Sequence, residues 1–98
     1  MAGDAIQVAP DNYKVLEEND RVRILEYRGG PGAKTEMHSH PDVVAIAVSG
    51  MTVRFASPDG QTMEIELKSG QAMFAPGGDH RTENIGGTAG HVILVELK

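Results

Sequence analysis

The 98-residue sequence has no cysteine and no tryptophan, and its only aromatic residues of the Phe, Trp and Tyr class are Tyr13, Tyr27, Phe55 and Phe74. Without cysteine, thiolate catalysis, disulfides and every cysteine-based metal site are excluded, so a metal would have to be held by imidazole and carboxylate. Four aromatic rings are too few for the stacking platforms on which carbohydrate sites usually depend. Positive charge is also scarce: 9 Lys and Arg stand against 14 Asp and Glu, for a net charge of -5, and the basic residues form no cluster. That is the wrong sign for a surface that neutralises phosphates, and nucleic acid is not an expected partner. No run approaches the roughly 20 apolar residues of a membrane-spanning helix, and MAGDAIQVAP has neither the basic flank nor the apolar stretch of a leader. The expectation is a soluble, cytoplasmic protein with no membrane partner.

The length suits one domain, residues 1–98. A chain this short buries a small fraction of its unfolded surface, which makes a bound metal or a second subunit a natural source of extra stability; a homodimer is expected.

What the sequence does contain is short segments alternating apolar and polar residues with period two. RVRILEYR (21–28), MTVRFA (51–56), TMEIEL (62–67) and HVILVEL (91–97) read as half-buried strands, and no segment of helical length shows a 3.6-residue period. Turn residues recur between them: GGPG (29–32), HPD (40–42), SPDG (57–60), SG (69–70), PGGD (76–79) and GGTAG (86–90). SPDG fits a type I turn and predicts a hairpin. The unbroken apolar run VVAIAV (43–48) predicts a strand covered on both faces. About eight or nine short strands indicate an all-β sandwich or barrel, and residues 1 to about 10 are expected to be a loose arm or an edge strand.

Two of the four histidines, His38 and His40, stand one residue apart in EMHSHPD. If TEMHSH (35–40) is extended, both rings project from one face, as two adjacent ligands of a single metal must, and a third ligand has to come from another strand. A pair of this kind also occurs by chance near strand ends. The stretch GQAMFAPGGDHRTEN (70–84) adds a third histidine, His80, just after a Pro-Gly-Gly turn able to start a new strand.

These two stretches resemble the paired motifs of the cupin superfamily. In the first (about 32–50), Gly32 is followed by five residues and then His38-Ser39-His40; the motif's glutamate position falls on Val44 or Ala45, and its closing glycine comes slightly early, at Gly50. In the second (70–84), Gly70, five residues, Pro76, Gly77 and Gly78 fit, one residue is missing before His80, and Asn84 follows after three more. The resemblance implies a single-domain jelly-roll barrel of two antiparallel sheets, commonly dimeric. It also implies one divalent transition metal per chain, held by His38, His40 and His80: Fe2+ for activity, with Zn2+ or Ni2+ as alternatives.

The absent glutamate has its own consequence. Three neutral imidazoles leave a dication its full charge and two or three open positions, which favours anionic, bidentate oxygen chelators such as a β-dicarbonyl enolate, an α-keto acid or an α-hydroxy acid. Three-histidine sites resemble those of iron-dependent dioxygenases that cleave small β-diketones or oxidise thiols. The expected function is therefore a mononuclear non-haem Fe(II) dioxygenase acting on a small β-dicarbonyl-like chelator. The alternatives are a non-catalytic small-molecule or metal-binding cupin and a zinc-dependent hydrolase or lyase.

Other polar residues have plainer readings. Glu36 would share the face of the histidine pair but is expected in solvent. Asp42 and Asp79 suit turns. His91 opens the last strand on the face of Ile93, Val95 and Leu97, where a satisfied strand histidine is expected rather than a fourth ligand, and Asn84 is expected to bond a turn or carbonyl. Met37, Met51, Met63 and Met73 are expected to fill the core or an interface.

Overall fold

The computed structural model describes residues 2–98. Its elements are α1 (Ala5–Val8), β1 (Tyr13–Glu18), β2 (Val22–Gly29), β3 (His38–His40), β4 (Val43–Ser49), β5 (Met51–Ala56), β6 (Thr62–Leu67), β7 (Ala72–Ala75), β8 (Gly78–Asn84) and β9 (Gly90–Leu97). The strands form two antiparallel sheets, β1-β2-β9-β4-β7 and β3-β8-β5-β6, which face one another as a jelly roll. Leu25, Tyr27, Ala47 and Val92 from the first sheet meet Met51, Val53 and Leu67 from the second.

The alternating segments form strands where their period required. β5 and β6 match 51–56 and 62–67, joined by the SPDG turn, in which the Gly60 N–H donates to the Ser57 carbonyl at 2.9 Å. The glycines that open the two histidine-bearing stretches, Gly32 and Gly70, have φ of +82° and +84°, a region that side chains disfavour, so both turns demand glycine.

Two expectations fail. β4 lies between β9 and β7, but it is not covered on both faces: Val44 and Ile46 are half-buried and Val48 is 47% exposed, because the molecule has only two layers and β4's second face points away from both. Residues 2–9 are neither a loose arm nor an edge strand. The Asp4 side chain accepts from the Ile6 N–H and caps a single helical turn, and the small side chains of Ala5 and Ala9 let it seat against the core, with Ala5 fully buried. The Gly3 carbonyl accepts from the Ser39 N–H at 2.8 Å, so this segment ties down β3.

Alternation also overlooked β8. Its buried positions are Thr82 and Asn84, with His80 half-buried, so a search for apolar residues finds nothing there. Asn84, 1% exposed, donates to the carbonyls of Gly29 and Thr88 and accepts from the Gly86 N–H, the structural role expected of it.

Candidate metal centre

Strands β3 and β8 pair so that His38 lies opposite His80 and His40 opposite Gly78. Directly opposed residues of antiparallel strands share a face, as do positions i and i+2 of one strand, so the register alone gathers three imidazoles on one side of a two-stranded ladder. Although one residue is missing between Gly78 and His80, both lie within β8 and pair with β3 without a register shift. His38, His40 and His80 each offer a ring nitrogen, these atoms lie within 4.8 Å of one another, and the group could hold one metal ion.

The hydrogen bonds around the rings fix which nitrogens of His38 and His40 keep a lone pair. His38 Nδ1 lies 2.8 Å from the Glu36 carbonyl, which can only accept, so Nδ1 carries the proton and Nε2 a lone pair. His40 Nδ1 lies 2.7 Å from a Glu96 carboxylate oxygen, with the same result. His80 Nε2 is buried and has no hydrogen-bond partner, and its ring stacks on Phe55 at 5.0 Å between centroids. A buried, unpartnered imidazole nitrogen beside two others is costly unless something binds it, and the donor set fits a transition-metal dication. Burial, reinforced by the two neighbouring imidazoles, pushes His80 down to about 3, and burial lowers His38 as well, so both rings are neutral and ready to ligate at pH 7.

Two residues at this site carry no signal in the sequence. Tyr13, on β1, places its hydroxyl 3.3 Å from His38 Nε2, and burial pushes that hydroxyl above its ordinary range, so it remains an O–H donor. Glu96, on β9, is 2% exposed and stands behind His40. Residues that do carry a signal separate as expected or are corrected. The Glu36 side chain is exposed, and only its backbone serves the site. Asp42 accepts from the Gly77 N–H in a turn. Asp79 lies not in a turn but within β8, accepting from the Ala2 N–H. His91 bonds Glu26 at 2.8 Å on the outer face of the larger sheet, away from the cluster. Met51 is core, whereas Met63 is 61% exposed.

A cavity of about 360 Å³ extends from this cluster between the sheets. His40, His80, Tyr13, Tyr27 and Thr82 are its polar lining residues, the rest are apolar, and among the described residues no Asp, Glu, Lys or Arg lines it. Its lining reaches solvent at the free edges of the two sheets, where Met63 of β6 and Phe74 of β7 are 61% and 57% exposed. No helix among the described residues is long and apolar enough to cross a membrane.

No family model matches the chain. It is 33% identical over 86 residues to the β-alanine degradation protein BauB of Pseudomonas aeruginosa, covering 86% of this chain and 87% of that one. A cupin domain from Bordetella pertussis Tohama I superposes with a TM-score of 0.79 at 27% identity, covering 88% of this chain and 91% of that one. The polyketide cyclase RemF of Streptomyces resistomycificus superposes with a TM-score of 0.63 at 24% identity over 87% of this chain and 63% of that one, a likeness of fold alone.

Proposed function

Because the chain belongs to the cupin superfamily, we propose that His38, His40 and His80 hold one divalent metal and that the iron form is a dioxygenase cleaving a small, apolar β-dicarbonyl. The observation that supports this reading best is the meeting of three neutral imidazoles with a cavity that has no charged lining. Bound iron would supply the coordination sites for substrate and dioxygen and the redox chemistry between them. The ligand set contributes no negative charge, so the site favours an anionic chelating head, while the apolar walls receive a neutral substituent and keep water out. The His38 lone pair that meets Tyr13 is the one a metal requires. Loading the site therefore frees the Tyr13 O–H to donate to an oxygen of the chelate.

The reaction balances as substrate plus one O2. One C–C bond beside the central carbon breaks and the O–O bond breaks; one oxygen atom ends in a carboxylic acid and the other in the new carbonyl of the second fragment. The name of the Pseudomonas relative fits this chemistry, since β-alanine whose amine has been replaced by a carbonyl is a 3-oxo acid, itself a β-dicarbonyl chelator.

The test is dioxygen uptake by iron-loaded protein offered acetylacetone and a 3-oxo acid. One O2 per substrate is expected with iron and none with zinc. Tyr13→Phe should keep the metal and lose about tenfold in kcat/KM, the worth of one hydrogen bond to an anionic oxygen. Metal bound stoichiometrically without uptake would overturn the dioxygenase in favour of a small-molecule binder or a zinc-type hydrolytic site. We further propose a homodimer, which the half-buried apolar residues Ile24, Val44, Ile46 and Val95 on the outer face of the larger sheet support. Light scattering should read about twice 10.5 kDa, and a monomer mass at micromolar concentration would refute it.

A further inference from the structure

On β9 the core-facing positions are Val92, Leu94 and Glu96, so a carboxylate stands in a row that is otherwise apolar. An isolated carboxylate there would be strongly unfavourable, yet both oxygens of Glu96 are committed. One lies 2.8 Å from Arg23 Nε and 2.7 Å from Arg23 Nη2, and the other 2.7 Å from His40 Nδ1. Arg23 is gripped in turn by Asp4, the residue that caps α1. The chain Asp4–Arg23–Glu96–His40 thus runs from the N-terminal segment to the histidine cluster.

We propose that Glu96 is the positioning residue of the metal centre: it holds His40 in the Nδ1–H tautomer with Nε2 bare, and sets beside that ligand the negative charge that the first motif lacks at Val44 and Ala45. The carboxylate acts through the ring instead of on the metal, making the imidazole a stronger donor while leaving the open coordination positions free. Arg23 fixes the carboxylate in place, and Asp4 fixes Arg23. On this reading Glu96 strengthens metal binding by a three-histidine site that has no carboxylate ligand. This inference rests on the metal-binding reading above.

The test uses Co2+ as the probe, with affinity read by competition against a chromophoric chelator and the unfolding midpoint of the metal-free protein read alongside. Glu96→Gln, which keeps the shape and removes the charge, should weaken Co2+ binding by about 10–100-fold. Arg23→Gln, at a position 19% exposed and therefore easier to tolerate, should weaken it in the same direction by about threefold or more. In 15N spectra of the metal-free wild type, His40 should carry its proton on Nδ1. Affinities within twofold of wild type for a folded Glu96→Gln would overturn the proposal; so would an unchanged Arg23→Gln if Glu96→Gln does not fold, or an Nε2–H tautomer at His40. Absence of Co2+ binding by the wild type would instead overturn the metal-binding reading on which this rests.

Discussion

His80→Ala is expected to weaken divalent-metal binding by about 10²–10³-fold. Structural zinc sites with four ligands bind with about 10–16 kcal/mol, which puts one ligand at about 2.5–4 kcal/mol, or about 10²–10³-fold in affinity. The loss should be large here because, among the described residues, the nearby carboxylates are engaged elsewhere: Glu96 is held by Arg23 and His40, Asp79 accepts from the Ala2 N–H, and the Glu36 side chain is in solvent. His91→Ala is the matched control. Its ring is bonded to Glu26 on the far face of the sheet, so metal affinity should not move. Titration of both variants with Co2+ under chelator competition checks the pair, and equal affinities for the two would remove His80 from the site.

The metal-free protein should lose stability steeply in mild acid. In the unfolded chain His80 takes up a proton near its ordinary value of 6.5, whereas burial among two other imidazoles holds the folded value at about 3. Between those limits the unfolded state binds more protons, so stability falls as pH falls, beginning near pH 6.5 and continuing towards pH 3. The slope from this one group approaches about 1.4 kcal/mol per pH unit, and His38, lowered by burial, adds in the same direction. The attraction of Asp79, next to His80, pulls the other way without overcoming burial. Urea unfolding at pH 7, 6, 5 and 4 reads the slope, and His80→Ala should flatten it. A wild-type protein as stable at pH 4.5 as at pH 7 would show that His80 is not held neutral. Saturating metal adds to stability by binding only the folded state, so the loaded protein should keep its midpoint to lower pH than the metal-free one.

Much of this architecture is legible in the chain because it depends on local chemistry. Period-two alternation places β5 and β6 where their side chains must face alternately inward and out, and SPDG turns between them because Pro58 and Gly60 suit its backbone. His38 and His40 share a face through nothing more than the two-residue repeat of a strand. Alternation fails where burial is polar. The inward positions of β8 are filled by His80, Thr82 and Asn84, and such a strand does not differ from a loop in hydropathy. It fails again where both faces are apolar, as in VVAIAV, whose composition does not say that its second face lacks a covering layer within the chain.

What only the tertiary structure decides is how the rings are held. The sequence by itself determines which residues can ligate, since without cysteine the candidates are few and the three histidines sit in recognisable company. It does not say which face of HVILVEL turns inward, because Ile93 and Val95 would serve a core as well as Val92 and Leu94; the packing of one sheet on the other makes the choice and brings Glu96 to His40 across 56 residues. Tyr13 reaches His38 across 25 residues through the same sheet geometry. Contacts of that range depend on the register of strands that meet only in the folded state, and no local pattern encodes them.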